Sequence, residues 1–151
     1  MMKNTSKLGE LGEEIVAQWL TSQKWAVLHQ RWRCRWGEID IIAQTPKLDY
    51  LVFIEVKTRS VGNWDRDGVL AITTKKQAKL WQTAELFISQ NPHLTQLRCR
   101  FDLALVRSKK LTNSAVESFS KQEVELGQPI SLEGYQLTLI QYIHDAFGDL
   151  S

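Results

Sequence analysis

Asp40, Glu55 and Lys57 are the residues whose types and spacing could do chemistry. They lie in the stretch GEIDIIAQTPKLDYLVFIEVKTR, residues 37–59, where the β-branched and aromatic residues of Ile39–Ala43 and Leu51–Val56 favour strand. Pro46, Lys47 and Asp49 mark a polar connection between the two runs, so the stretch reads as a hairpin. A turn centred between Lys47 and Leu48 puts Asp40 opposite Glu55. Side chains two apart on a strand share a face, so Glu55 and Lys57 project together and Asp40 joins them. Two carboxylates and an ammonium then converge.

Carboxylates set among Val, Ile and Phe lose hydration and repel one another unless they share a cation. A hard divalent ion meets that need, because Mg²⁺ is commonly held by one or two carboxylates and retained waters, with a main-chain carbonyl such as that of Val56 as a further donor. Such an ion polarises a phosphoryl oxygen and acidifies a bound water. Lys57 would orient that water or stabilise the pentacovalent charge. The plainer reading is a structural ion pair between Glu55 and Lys57 at the sheet surface. Asp40 at the matching position is what sets the metal-site reading beside it.

Gly37-Glu38-Ile39-Asp40 followed by Glu55-Val56-Lys57-Thr58-Arg59 resembles the PD-(D/E)-x-K nuclease superfamily, and more closely the YraN-like family of uncharacterised bacterial proteins. The resemblance extends through Gly9-x-x-Gly12-Glu13, Arg31 to Arg35, Lys76-Gln77, Arg100-Phe101-Asp102 and Ile143-His144-x-x-Phe147. Each piece is weak; their order together is specific. The resemblance implies a restriction-endonuclease-like, Holliday-junction-resolvase-like fold and a nuclease-like site, and leaves the biochemical role open. Ile39 stands where the superfamily pattern has Pro, which weakens the motif but leaves the acid itself in place.

The chain has 151 residues, 43% of them hydrophobic, which suits one nuclease-like domain over residues 1–151 with its own core. Net charge is only +2, but residues 1–110 carry 18 Lys/Arg against 11 Asp/Glu, whereas 111–151 carry 1 against 6. The basic part holds the suspected site, and the excess is compatible with phosphate binding or with plain solubility. Cys34 and Cys99 cannot make a thiolate cage and read as reduced core residues. The first residues, MMKNTSKLGE, lack an apolar signal segment and no run is long enough to span a membrane, so the expected compartment is the cytoplasm.

Several elements must hold the site. Leu11, Ile15, Val16, Trp19 and Leu20 recur at helical spacing over residues 8–23, with Thr5 or Ser6 available as a cap. Glu13 falls at the edge of that stripe and Glu10 points away from it. In the resembling nucleases an acid of this helix can enter the metal site, so Glu13 is carried over; an ordinary solvated helix acid is the alternative. Trp25–Leu28 reads as a strand. Arg31-Trp32-Arg33-Cys34-Arg35-Trp36 alternates, placing three arginines on one face and Trp32, Cys34 and Trp36 on the other if extended. Arginines beside aromatics suit phosphate contact with bases stacked nearby, although the tryptophans fit a core equally.

After the hairpin, Ser60–Gly68 is a polar loop beyond Lys57, placed to touch a substrate or merely to connect. Thr73 or Thr74 caps a second helix with Gln77, Leu80, Trp81, Ala84, Phe87 and Ile88 on one stripe and Asn91-Pro92 as its stop. Lysines at its start strengthen the anion-attracting helix N-terminus. Lys76 and Gln77 match the family's helix motif, while Lys75 and Lys79 read as surface lysines. Arg98–Arg107 alternates as a strand, and Asp102 reads as an acid supporting the site from behind or, more simply, as a structural partner for Arg100. Residues 109–134 are less typical and read as a loop or small hairpin. Tyr135–Ile143 is a last strand, and His144 reads as a structural or solvated residue.

The expected architecture is α/β, a central mixed sheet flanked by helices in the order helix, three strands, helix, two strands. The expected function is a metal-dependent endonuclease hydrolysing phosphodiester bonds of branched or structured DNA. Asp40, Glu55 and Glu13 would hold Mg²⁺ or Mn²⁺, Lys57 would orient water, and Arg31, Arg33, Arg59, Lys76 and Gln77 would contact nucleic acid. A homodimer fits the resemblance to resolvases. The competing class is a nucleic-acid-binding or assembly module that keeps the fold without turnover.

Overall fold

The computed structural model describes residues 3–60, 72–112 and 123–148, with residues 3–6 described by backbone only. Most of the polar loop expected over 60–68, and residues 113–122 of the atypical segment, lie outside the described residues.

The apolar stripe of the first helix forms α1, Lys3–Ser22. It begins before Thr5, so neither Thr5 nor Ser6 is its cap, contrary to expectation. Its end is closed by Lys24 at φ 73, with the Trp25 N–H reaching back to Leu20 O at 3.0 Å. Strands β1 (Ala26–Cys34) and β2 (Gly37–Gln44) follow. Here the expected extended run through Trp36 is corrected: the strand stops at Cys34, and Arg35 and Trp36 make the turn into β2. Gly37, at φ 151, supplies the reversal that a side chain would resist.

β2 and β3 (Tyr50–Ser60) pair antiparallel from Ile41↔Ile54 to Gln44↔Leu51, the register the turn position predicts. The turn is latched internally. Thr45 Oγ1 donates to Asp49 at 2.9 Å and accepts from the Tyr50 N–H at 3.2 Å, while Leu48 takes φ 57. Helix α2, Thr74–Ser89, is capped by Thr73, whose Oγ1 accepts the Lys76 N–H at 3.1 Å. Asn91 donates to Phe87 O at its other end.

Strand β4, Arg98–Lys110, runs parallel to β3 along the whole of that strand. Part of the atypical segment is indeed a small hairpin: β5 (Ile130–Leu132) turns at Glu133-Gly134 into β6, Tyr135–Ile143. This is one short strand more than the expected order.

The six strands form one mixed sheet in the order β1-β2-β3-β4-β6-β5, a restriction-endonuclease-like core flanked by the two helices. On one face, Ile15, Val16 and Leu20 of α1 pack on Ile41, Ala43, Val52, Ile54, Ala104 and Val106. On the other, Leu80, Ala84 and Phe87 of α2 cover Ile39, Ile42, Phe53, Phe101 and Leu103. Phe53 and Phe101 lie 5.3 Å apart, centroid to centroid, at the centre of the second layer. Among the described residues no helix is long and apolar enough to cross a membrane.

Candidate active site

The β2–β3 ladder ends at Ile41↔Ile54, and the next residue of β2 is Asp40. Strict alternation fails at this point. Ile41 and Ala43 pack beneath α1, yet Ile39 and Ile42, three apart, both pack beneath α2. The slip of one residue falls at Asp40, across from Arg31, which has a left-handed φ of 59. Asp40 thus departs from regular alternation, and its Oδ2 accepts the Val56 N–H at 2.8 Å. The expected convergence therefore occurs at an irregular strand end, where the pairing with β1 keeps its register but the facing of the side chains changes.

Glu55 approaches from the α2 layer, since Ile54 and Val56 on either side of it face α1. Lys57 shares its strand face, and Lys76 of α2 reaches down to Glu55 Oε2 at 3.1 Å. From the α1 layer comes Glu13, only 14% exposed, which accepts from Arg31 Nε at 2.9 Å and adjoins Asp40. Close helix–sheet packing brings it there. A side chain at Gly12 would overlap Thr58 Oγ1 and come within 3.3 Å of Thr58 Cβ, so α1 sits as near β3 as a glycine permits. The Thr58 hydroxyl, buried in this contact, has no hydrogen-bond partner among the described residues.

The electrostatics follow from that crowding. Burial first and the Glu55 carboxylate second hold the Asp40 carboxyl well above the ordinary carboxylate range, with Glu13 and Glu38 adding to the effect and the Val56 N–H opposing it. Glu13 is raised too, because its desolvation outweighs the Arg31 guanidinium. Lys57 is lowered, by burial and then by Lys76, while Glu55 and Asp40 pull the other way. Glu38 was not singled out in the sequence; its signal was proximity to Asp40.

Glu13, Asp40, Glu55, Lys57 and Lys76 are therefore brought together. Arg31 adjoins them, but both its bonds go to acids of α1: Glu13, and Glu10 at 3.0 Å. Arg33 is largely exposed and lies 3.5 Å from Glu38. Arg59 is exposed and donates to Thr58 O, while Gln77 donates to Ile72 O at 2.8 Å and braces the start of α2. These three stand outside the acid cluster. Between the Arg35–Trp36 turn and the first half of α2 opens a cleft of about 330 Å³, lined by Trp36, Glu38, Lys75, Lys76 and Lys79 among others. Lys75 and Lys79, read from the sequence as plain surface residues, are walls of this cleft.

Residues 12–106, from α1 through most of β4, match the model of the uncharacterised protein family UPF0102. The chain is similar to a UPF0102 protein of Acaryochloris marina, 49% identical over 93% of this chain and 90% of the relative. It is also similar to UPF0102 proteins of Trichodesmium erythraeum, 48% identical over 92% and 87%, and of Synechocystis, 44% identical over 93% and 97%. The matched span contains Glu13, Asp40, Glu55 and Lys57.

Proposed function

The chain belongs to the UPF0102 family, and from that premise and the acid cluster we propose that it is a metal-dependent nuclease hydrolysing phosphodiester bonds of structured or branched DNA. The observation that carries this reading is Asp40, an enclosed carboxyl facing Glu55 and Glu13 and raised by both. Of the four carboxylates at the site, Glu13 is paired with Arg31, Glu38 with Arg33 and Glu55 with Lys76, whereas Asp40 accepts the Val56 N–H and is raised by the other three acids. A divalent cation would relieve the burial and like-charge crowding at Asp40, so the residues fit Mg²⁺ or Mn²⁺ held by Asp40 and Glu55 with Glu13 assisting. When bound, the ion supplies Lewis-acid polarisation of the phosphate and a more acidic water.

The chain's own residues supply the rest. Lys57, partly buried beside Glu55, orients the water that attacks phosphorus in line with the departing oxygen. Lys76, on a helix N-terminus and able to exchange Glu55 for a phosphate oxygen, steadies the strand being cut. Arg31, Arg33, Arg59 and Gln77 contribute more distant contacts, and a second copy of the chain would extend the grip on a branch point.

One observation favours the second reading, a nucleic-acid-binding or assembly module without turnover. Among the described residues no three His, Cys, Asp or Glu side chains form a ready-made metal cage. A cleavage panel of plasmid, single strand and four-way junction with Mg²⁺ or Mn²⁺ separates the two. Metal-dependent products from wild type, lost in Asp40→Asn and Lys57→Ala, are expected. Equal binding by all three proteins with no product from any substrate would establish the module instead.

A further inference from the structure

The hydrolytic step makes no use of the cleft between the Arg35–Trp36 turn and α2. Its volume, about 330 Å³, lies at the small end of the roughly 300–1,000 Å³ typical of ligand sites. Lys75 and Lys79 are one helical turn apart on α2, so their ammonium groups line the same wall. Trp36 forms part of the opposite side and is 40% exposed, one of three large hydrophobic residues left so open among the described residues. The Arg35 guanidinium lies 4.9 Å from its ring centroid, and Glu38 is the one acid in the lining. Lys76 belongs both to this cleft and to the acid cluster, through its 3.1 Å bond to Glu55. The two sites are therefore contiguous.

A positively charged groove beside an open aromatic ring is the means by which proteins hold unpaired nucleotides. We propose that this cleft seats an unpaired nucleotide next to the scissile phosphate, its base against Trp36 and its phosphate between Lys75 and Lys79. A base inside a duplex is stacked on both sides and has no face to offer Trp36. The substrate class is thus narrowed to strands with at least one unpaired nucleotide beside the cut. The adjacency to a cut rests on the nuclease reading, whereas the binding itself does not.

The test is equilibrium binding by fluorescence anisotropy in EDTA, with labelled oligothymidylate and a blunt duplex of equal length. The full chain should prefer the single strand. Trp36→Ala should weaken single-strand binding by roughly 5- to 150-fold, the effect of one lost stack, and leave duplex binding unchanged. Trp36→Phe should restore most of it. The double variant Lys75→Gln/Lys79→Gln should flatten the salt dependence of single-strand binding by about 0.7 in log–log slope, one neutralised phosphate's worth. Undetectable oligothymidylate binding, or equal losses on single strand and duplex in Trp36→Ala, overturns the proposal, and so does wild-type behaviour in that variant. Trp36-dependent binding without cleavage of any substrate in Mg²⁺ would sink the nuclease reading alone; cleavage indifferent to Trp36 and single-strandedness would sink the cleft alone.

Discussion

Two acids of the same sheet are treated in opposite ways. Asp102 on β4 is fully buried, and both its oxygens are matched: Oδ1 accepts from Arg100 Nε at 2.9 Å and the Asp145 N–H at 2.8 Å, Oδ2 from Arg100 Nη2 at 3.2 Å and Tyr142 at 2.6 Å. The matching guanidinium is itself seated 4.8 Å over the Tyr50 ring, and burial drives the Tyr142 phenol far above its ordinary range. Asp40, at the end of β2, has one N–H donor and a surround of other acids. The contrast between a carboxylate satisfied this thoroughly and one crowded by like charge is what supports the proposed metal site at Asp40.

The largest expected effect tests that contrast at its functional side. Asp40→Asn should lower metal-dependent cleavage about a thousandfold, several kcal/mol of lost transition-state stabilisation. The same variant should melt at or above the wild-type temperature at neutral pH without divalent ions, since it removes like-charge repulsion. A clear loss of melting temperature would make Asp40 a structural acid like Asp102. On the other side, Asp102→Ala removes the buried carboxylate that the half-buried Arg100 guanidinium, Tyr142 and the Asp145 N–H all bond, and should cost about 3 kcal/mol in urea denaturation. If it costs nothing, the matched network is not what holds β4 to the residues after β6.

Smaller effects sharpen the picture. Gly12→Ala should destabilise by about 1–3 kcal/mol through its clash with Thr58 and lift Glu13 away from Asp40, and Thr58→Ala in the same chain should recover most of the loss. Additive losses in the double variant would place the strain elsewhere.

The smallest effect is in pH dependence. Asp40 and Glu13 bind protons more tightly when folded than unfolded. Between the ordinary carboxylate value and their raised ones, the folded state therefore holds more protons, and their contribution to stability falls as pH rises. The difference between wild type and Asp40→Asn across that window isolates the Asp40 part. A difference growing in wild type's favour with pH would reverse the sign argued here.

Much of this site was legible in the sequence because two periodicities reported it. The turn position fixed the hairpin register, and the 3.6-residue stripe put Glu13 at the edge facing the sheet. The slip at Asp40 was not legible. An arginine at φ 59 carries no compositional signal, unlike glycine, and the change of facing shows only in which layer Ile39, Ile41 and Ile42 occupy. Alternation also ran one turn too far. Arg35 and Trp36 continue the pattern of the strand, and Gly37 was the single hint that the chain reverses there. The acid partners of Arg31 lie 18 and 21 positions away, on another element, and no local pattern encodes them.

The latch between Thr45 and Asp49 has a consequence for descent. Because that turn sets the pairing of β2 with β3, adding or deleting one residue there would re-index every partner beyond it and separate Asp40 from Glu55. Length drift among lineages should therefore be purged at this connection and accepted elsewhere, for instance at the Glu133-Gly134 reversal, where no reacting group depends on the count.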